Sequence, residues 1–158
     1  MTLSVLIINA DDFGYSLTIN QAILRSFERK FINSTSLMAN MAGFDDAINM
    51  INRHAVLQGR VGAHLNLTEG YPVTQLLRDL PAFCDDNGRL VYDRQRALIR
   101  LRRKAKDGLY GELKAQLEKL LSAGICPTHL DSHHHVHTEW AIAPLVCRLA
   151  REIGRAHV

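Results

Sequence analysis

The chain has 158 residues, of which 47% are hydrophobic, 22% charged and 6% aromatic, a balance that fits one folded domain and excludes a disordered or low-complexity polypeptide. Its formal net charge is only +3, and much of the basic excess is confined to 89–106, so no nucleic-acid-binding field covers the molecule. Cys84, Cys126 and Cys147 are odd in number and widely spaced, which argues against a disulfide framework and suits a reducing, cytoplasmic compartment.

The first apolar run, Val5-Leu-Ile-Ile8, is too short for a signal sequence or a membrane span. It reads as a strand buried on both faces, as in parallel sheets, with the polar residues of Asn9-Ala-Asp-Asp-Phe-Gly14 crowding its end. Ile19, Ala22, Ile23 and Phe27 recur at helical spacing, so a helix is expected over 18–31 with Ser16 or Thr18 as its cap. The rhythm repeats: strand over 34–39, helix over 44–52, strand over 60–67. Such alternation predicts an α/β fold of parallel strands with right-handed helical crossovers.

Residues 68–90 hold Gly70, Pro72, Pro81 and Gly88 and read as a long loop, of a length usually kept for function. One or two helices are expected over 93–123, with Leu113, Leu117, Leu120 and Leu121 as the apolar stripe and Gly124 just past the end. A fourth strand over 125–132 and a helix over 141–152 complete the pattern. A sheet ending there keeps an open edge. The expectation is therefore a single domain over 1–151 that forms the N-terminal part of a longer protein. Glu152-Ile-Gly-Arg-Ala-His-Val158 reads as translated adapter sequence, a non-native tail.

Three polar clusters fall at the carboxyl ends of expected strands: Asp11-Asp12, His64 with Asn66, and the stretch 128–137. Parallel α/β folds bind ligands at those ends, so residues distant in sequence are expected to converge there. Alone, the aspartates read equally well as a helix cap or turn, and His64 as a core histidine satisfied by a hydrogen bond. The 128–137 stretch is more specific, with five histidines and one aspartate in ten residues. Extended backbone would put His129, Asp131 and His133 on one face. Its interior position, interleaved with Leu130 and Val136, separates it from a tag.

Imidazoles with a carboxylate suit zinc, iron or manganese, whereas an all-oxygen shell favours magnesium or calcium. A metal so held lowers the pKa of a bound water and polarises a carbonyl, and a second carboxylate can serve as general base. Such a site suits hydrolysis of an amide or ester. The basic run Arg94, Arg96, Arg100, Arg102, Arg103, Lys104, Lys106 reads as a solvated helix face, with phosphate on a substrate as the alternative.

Asn9-Ala-Asp-Asp-Phe-Gly14, Gly62-Ala-His-Leu-Asn-Leu-Thr68 and Pro127-Thr-His-Leu-Asp-Ser-His-His-His-Val-His137 together resemble the three N-terminal motifs of the YdjC/ChbG-type carbohydrate deacetylases, which include the HpnK-like proteins of hopanoid biosynthesis. The resemblance runs from about Val5 to Arg151. It implies a distorted (β/α) TIM-like barrel and removal of acetyl groups from an N-acetylated sugar, either a chitooligosaccharide or a glycolipid head group. Carried over by motif, Asp12, His64 and His133 would hold one divalent metal ion, Mg2+ or Zn2+, and Asp11 would be the catalytic base. His129, Asp131 and Asn66 would orient the site or contact substrate. Trp140 would either stack on a sugar ring or pack the following helix. The alternatives are another barrel metal hydrolase, of the amidohydrolase or phosphoesterase kind, and a truncated, inactive metal-binding module. Neither nucleic acid nor a membrane is expected as partner; a homodimer stays open.

Overall fold

The computed structural model describes residues 6–92, 102–154 and 156–157. Five parallel strands lie side by side in chain order: β1 (Asn9–Phe13), β2 (Ser34–Leu37), β3 (Val61–Leu65), β4 (His129–Ser132) and β5 (Ala156–His157). The crossovers carry α1 (Leu17–Glu28), α2 (Phe44–Arg53), the short α3 (Gln75–Arg78) with the long α4 (Arg103–Ser122), and α5 (Ala143–Ile153). Neighbours in unbroken sequence order are successive staves of a barrel, whereas a doubly wound sheet reverses its order at a switch point. The α/β class expected from the alternating pattern, and the TIM-like barrel that the family resemblance implied, are the class observed.

Local chemistry explains the element boundaries. Ser16 sits extended before α1 and its hydroxyl accepts from the Ile19 amide at 3.3 Å, satisfying one of the otherwise unpaired first-turn donors. Asp45 and Asp46 occupy the first turn of α2, where carboxylates meet the positive end of the helix dipole. Gly124, at φ +81°, ends α4 as expected.

The first strand differs from expectation. Its ladder begins at Asn9, and Leu6 and Ile7 are 73% and 70% exposed. Ahead of the ladder, the Ile8 carbonyl accepts from the Asn33 and Ser34 amides, and the Asn33 side chain bonds the Ile8 amide and the Leu6 carbonyl. A strand buried on both faces needs a layer on each side, and here helices cover one side alone. Two other segments are more structured or more bent than expected. The long loop contains α3, capped by Thr74, and a bridge from Cys84 to Leu90. The His stretch forms a kinked 3-10 segment over 133–138, with His134 and His135 at φ +52° and +55°, instead of continuing as extended backbone.

Residues 93–101, which include Arg94, Arg96 and Arg100 of the basic run, lie outside the described residues. Arg102, Arg103, Lys104 and Lys106 are exposed at the start of α4, as a solvated helix face requires. Among the described residues no disulfide links Cys84, Cys126 or Cys147. No helix among the described residues is long and apolar enough to cross a membrane.

Alternation along the strands sorts the side chains. Phe13, Leu37, Ala63, Leu65 and Leu130 join Phe27, Phe44, Leu113, Leu117 and Val146 of the helices in one buried core. The opposite side carries Asn9, Asp11, Ser34, His129 and Asp131, which line an open groove of about 760 Å³. Polar lining on the face away from the helices is what turns this sheet into a site.

Candidate metal centre

Two adjacent aspartates on a regular strand point to opposite faces, and β1 escapes that rule through a bulge. Ala10 pairs with Thr35 and Phe13 with Leu37, so two β1 residues stand opposite one in β2. Asp12 takes the left-handed conformation at φ +65°, which Asp tolerates better than most residues. Gly14 turns the chain away at φ +87°, where a Cβ would lie 2.8 Å from Leu37 Cδ1 and 2.9 Å from the Met38 carbonyl oxygen. Both carboxylates consequently reach the carboxyl end of the sheet.

His64 and Asp131 are register partners across β3 and β4. His64 is 2% exposed; its Nδ1 lies 2.7 Å from Asp131 Oδ1 and 3.1 Å from Ser36 Oγ. Ser36 also donates to Asp131 Oδ2 at 2.7 Å. Burial alone would depress the imidazole pKa, but the Asp12 and Asp131 carboxylates outweigh it and raise it to about 9. Burial opposes charge on Asp131 as well, yet its bonds from His129, His64 and Ser36 hold its carboxyl well below the usual range.

Asp12 Oδ1 lies 2.8 Å from His133 Nδ1 and 3.2 Å from His64 Nε2. Bonds of about 2.0–2.2 Å at open coordination angles would separate neighbouring donors by about 2.8–3.5 Å. The Nε2 atom of His64 is buried and lacks a hydrogen-bond partner among the described residues, a costly state for a polar atom unless a ligand satisfies it. Asp12, His64 and His133 therefore fit a divalent cation, as one carboxylate and two imidazoles with positions left open. His64, bonded to Asp131 through its other nitrogen, also has the orientation of a metal-ligating histidine.

Around this trio the expected residues take distinct positions. Asp11, at the exposed end of β1, accepts from Asn9 Nδ2 at 2.8 Å, and its carboxylate groups with His64 and Asp131 within ligating reach. His129 Nε2 lies 3.7 Å from Asp131 Oδ2, and Gly62 makes room for that ring, since a Cβ there would meet His129 Cε1 at 2.4 Å. Asn66 is brought to the site's underside only. It is fully buried and its side chain bonds Asn40, the Glu69 carbonyl and the Thr68 and Glu69 amides, which shapes the turn after β3. Trp140 is 87% exposed, so it does not pack the following helix, nor does it line the groove.

Ser36, Glu69 and Tyr15 were not singled out by sequence. Tyr15 donates to Glu69 Oε2 at 2.8 Å, and Glu69 Oε1 lies 3.4 Å from His133 Nε2. The Tyr15 bond is the main reason that the Glu69 carboxyl pKa is lowered. Ser36 could have been found from its place near the carboxyl end of a strand, and Glu69 from its place in the long loop that follows the His64 motif.

Fold and site together define an α/β barrel-type protein with a histidine and carboxylate cluster at the carboxyl ends of its strands. The chain belongs to the family described as YdjC-like protein, whose model matches residues 5–158. It is 42% identical to a carbohydrate deacetylase of Brevibacillus brevis over 93% of this chain and 56% of that protein. A carbohydrate deacetylase of Geobacillus stearothermophilus is also 42% identical, over 91% of this chain and 55% of that one. A solved Enterococcus faecalis structure, described as a cellobiose-phosphate cleavage protein, superposes with a TM-score of 0.82 at 28% identity, covering 96% of this chain and 57% of that one. The chain thus spans little more than half the length of these relatives.

Proposed function

We propose that this chain carries the metal centre and general base of a carbohydrate N-deacetylase, a hydrolase that removes acetyl groups from an N-acetylated sugar of the chitooligosaccharide or glycolipid kind. The observation that carries the reading is the trio Asp12, His64 and His133, from β1, β3 and the segment just after β4, with donor atoms 2.8 and 3.2 Å apart and the buried His64 Nε2 lacking a hydrogen-bond partner among the described residues. Relatives named carbohydrate deacetylase supply the substrate class.

In this reading Asp12, His64 and His133 hold one Mg2+ or Zn2+ ion. Bound there, the ion supplies Lewis acidity toward an acyl oxygen and lowers the pKa of a water. Asp11 takes the proton of the attacking water on its carboxylate, kept turned toward the site by Asn9. As the amide C–N bond breaks, that proton goes to the departing amine. Asp131 and Ser36 hold His64 in place, and His129 braces Asp131. Trp140, exposed beyond the His stretch, is left to a sugar-stacking role. The same reading makes the chain a cytoplasmic N-terminal part of a longer barrel.

The test pairs metal titration by calorimetry with acetate release from N-acetylglucosamine oligomers, run on the chain and on a form extended to the relatives' length. Asp11→Asn should keep metal affinity and lose acetate release by at least about a hundredfold, whereas His64→Ala and His133→Ala should lose both. Phosphate release without acetate would overturn the deacetylase reading, and metal binding without turnover in the extended form would leave a binding module.

A further inference from the structure

Each histidine of the trio presents two ring nitrogens, and the structure accounts unequally for the outer ones. His64 Nδ1 has Asp131 at 2.7 Å, the carboxylate backing that fixes the tautomer and ring angle of a ligating imidazole. His133 turns Nδ1 toward Asp12 at 2.8 Å. Its Nε2 is buried and has no hydrogen-bond partner among the described residues, with Glu69 Oε1 the carboxylate oxygen nearby at 3.4 Å. The residue is 8% exposed, so bulk water is a poor substitute for a partner at that nitrogen.

Glu69 is itself held from two directions. Its other carboxylate oxygen accepts the Tyr15 hydroxyl at 2.8 Å. Its backbone is gripped by the side-chain amides of Asn66 and Asn40, which donate to its carbonyl oxygen at 2.8 and 3.0 Å, while its own amide donates to Asn66 Oδ1 at 3.2 Å. A carboxylate anchored at both main chain and side chain loses little further freedom on bonding an imidazole.

We propose that Glu69, steadied by Tyr15, is the positioning residue of His133, accepting a hydrogen bond from its Nε2–H so that Nδ1 faces the cation. The two ligating imidazoles then have matching supports, Asp131 behind His64 and Glu69 behind His133. Tyr15 joins the arrangement from just beyond β1, so the same turn that delivers Asp12 also supplies the residue that steadies Glu69. This role rests on the metal reading given above. One competitor is a direct ligand role for Glu69, because its carboxylate groups with His133 and His134 within ligating reach.

Glu69→Gln, close in shape but neutral, decides between these. With Mn2+ or Zn2+ titrated into the chain, the expected result is an affinity about 10–100-fold lower, with the thermal midpoint of the metal-free protein unchanged and the visible spectrum of a Co2+ derivative retained. Tyr15→Phe should shift affinity in the same direction by a smaller factor, and carries the test if Glu69→Gln does not fold. Affinity unchanged in both variants would overturn the positioning role. A loss as complete as that of Asp12→Asn, with an altered Co2+ spectrum, would make Glu69 a ligand and overturn it as well. If the wild-type chain bound no divalent cation, the metal reading itself would fall, a result distinct from equal binding by wild type and variant.

Discussion

His64 is the residue on which the chemistry turns, because its environment makes proton and metal compete for one nitrogen. Burial disfavours its charged form, but the Asp12 and Asp131 carboxylates raise its pKa from 6.5 to about 9. In the metal-free chain the proton's stabilising contribution is complete below 6.5 and fades as pH rises through about 9. A cation must displace that proton, so metal affinity should run the opposite way, rising about tenfold per pH unit up to the imidazole pKa and levelling off above it. Titration calorimetry at neutral pH in two buffers of different ionisation enthalpy should report roughly one proton released per ion. No proton release, or affinity indifferent to pH, would contradict this placement of His64. Asp12 shows the complementary constraint: its carboxyl pKa is lowered, chiefly by its contact with His64, so it is ready to ligate throughout that range.

Among the elements, α4 does more than cover the sheet. Leu113, Leu117 and Leu120 enter the core as their spacing foretold, joined by Leu109, whereas Leu121 of the expected stripe is 43% exposed; Glu112 and Gln116 on the same helix are also buried. Glu112 accepts from the Val73 and Thr74 amides, the Thr74 hydroxyl and Gln116 Nε2, at 2.7–2.8 Å. Gln116 in turn bonds both the amide and the carbonyl of Asn66. The helix thereby pins the long loop and the turn that presents Glu69. Each buried donor orphaned by Glu112→Ala costs about 1–3 kcal/mol; the expected fall in unfolding free energy is at least about 3 kcal/mol by urea titration, and a fall under about 1 kcal/mol would show that water replaces the carboxylate. An apolar stripe at helical spacing reveals which face is inward. It does not reveal that a glutamate beside that stripe is inward too, since the compensating donors come from a loop about 40 residues away in the chain.

The molecule as a whole presents an open groove beside an apolar margin, where Leu6 and Ile7 stand 73% and 70% exposed and Ile7 lines the groove. Apolar residues next to an unpaired strand edge favour association. Sedimentation equilibrium should therefore show concentration-dependent self-association that Ile7→Lys reduces; a wild-type chain monomeric at its highest attainable concentration would refute it. Much of the architecture is legible without coordinates, because strand and helix periods are local patterns: the β-α alternation, the Ser16 cap, the Gly124 stop, and His64 and Asp131 near strand ends follow from a few neighbouring residues. The His stretch announces metal chemistry for the same reason. Folding in three dimensions settles which atoms meet. Asp12 and His133, 121 residues apart, approach within 2.8 Å because a one-residue bulge in β1 lets adjacent aspartates share one end of the sheet. Glu69 reaches His133, and Ser36 reaches Asp131, only through the pairing of strands and the anchoring of a loop. Periodicity tells a residue's face, but a contact between distant segments depends on register, and register is a property of the packed sheet.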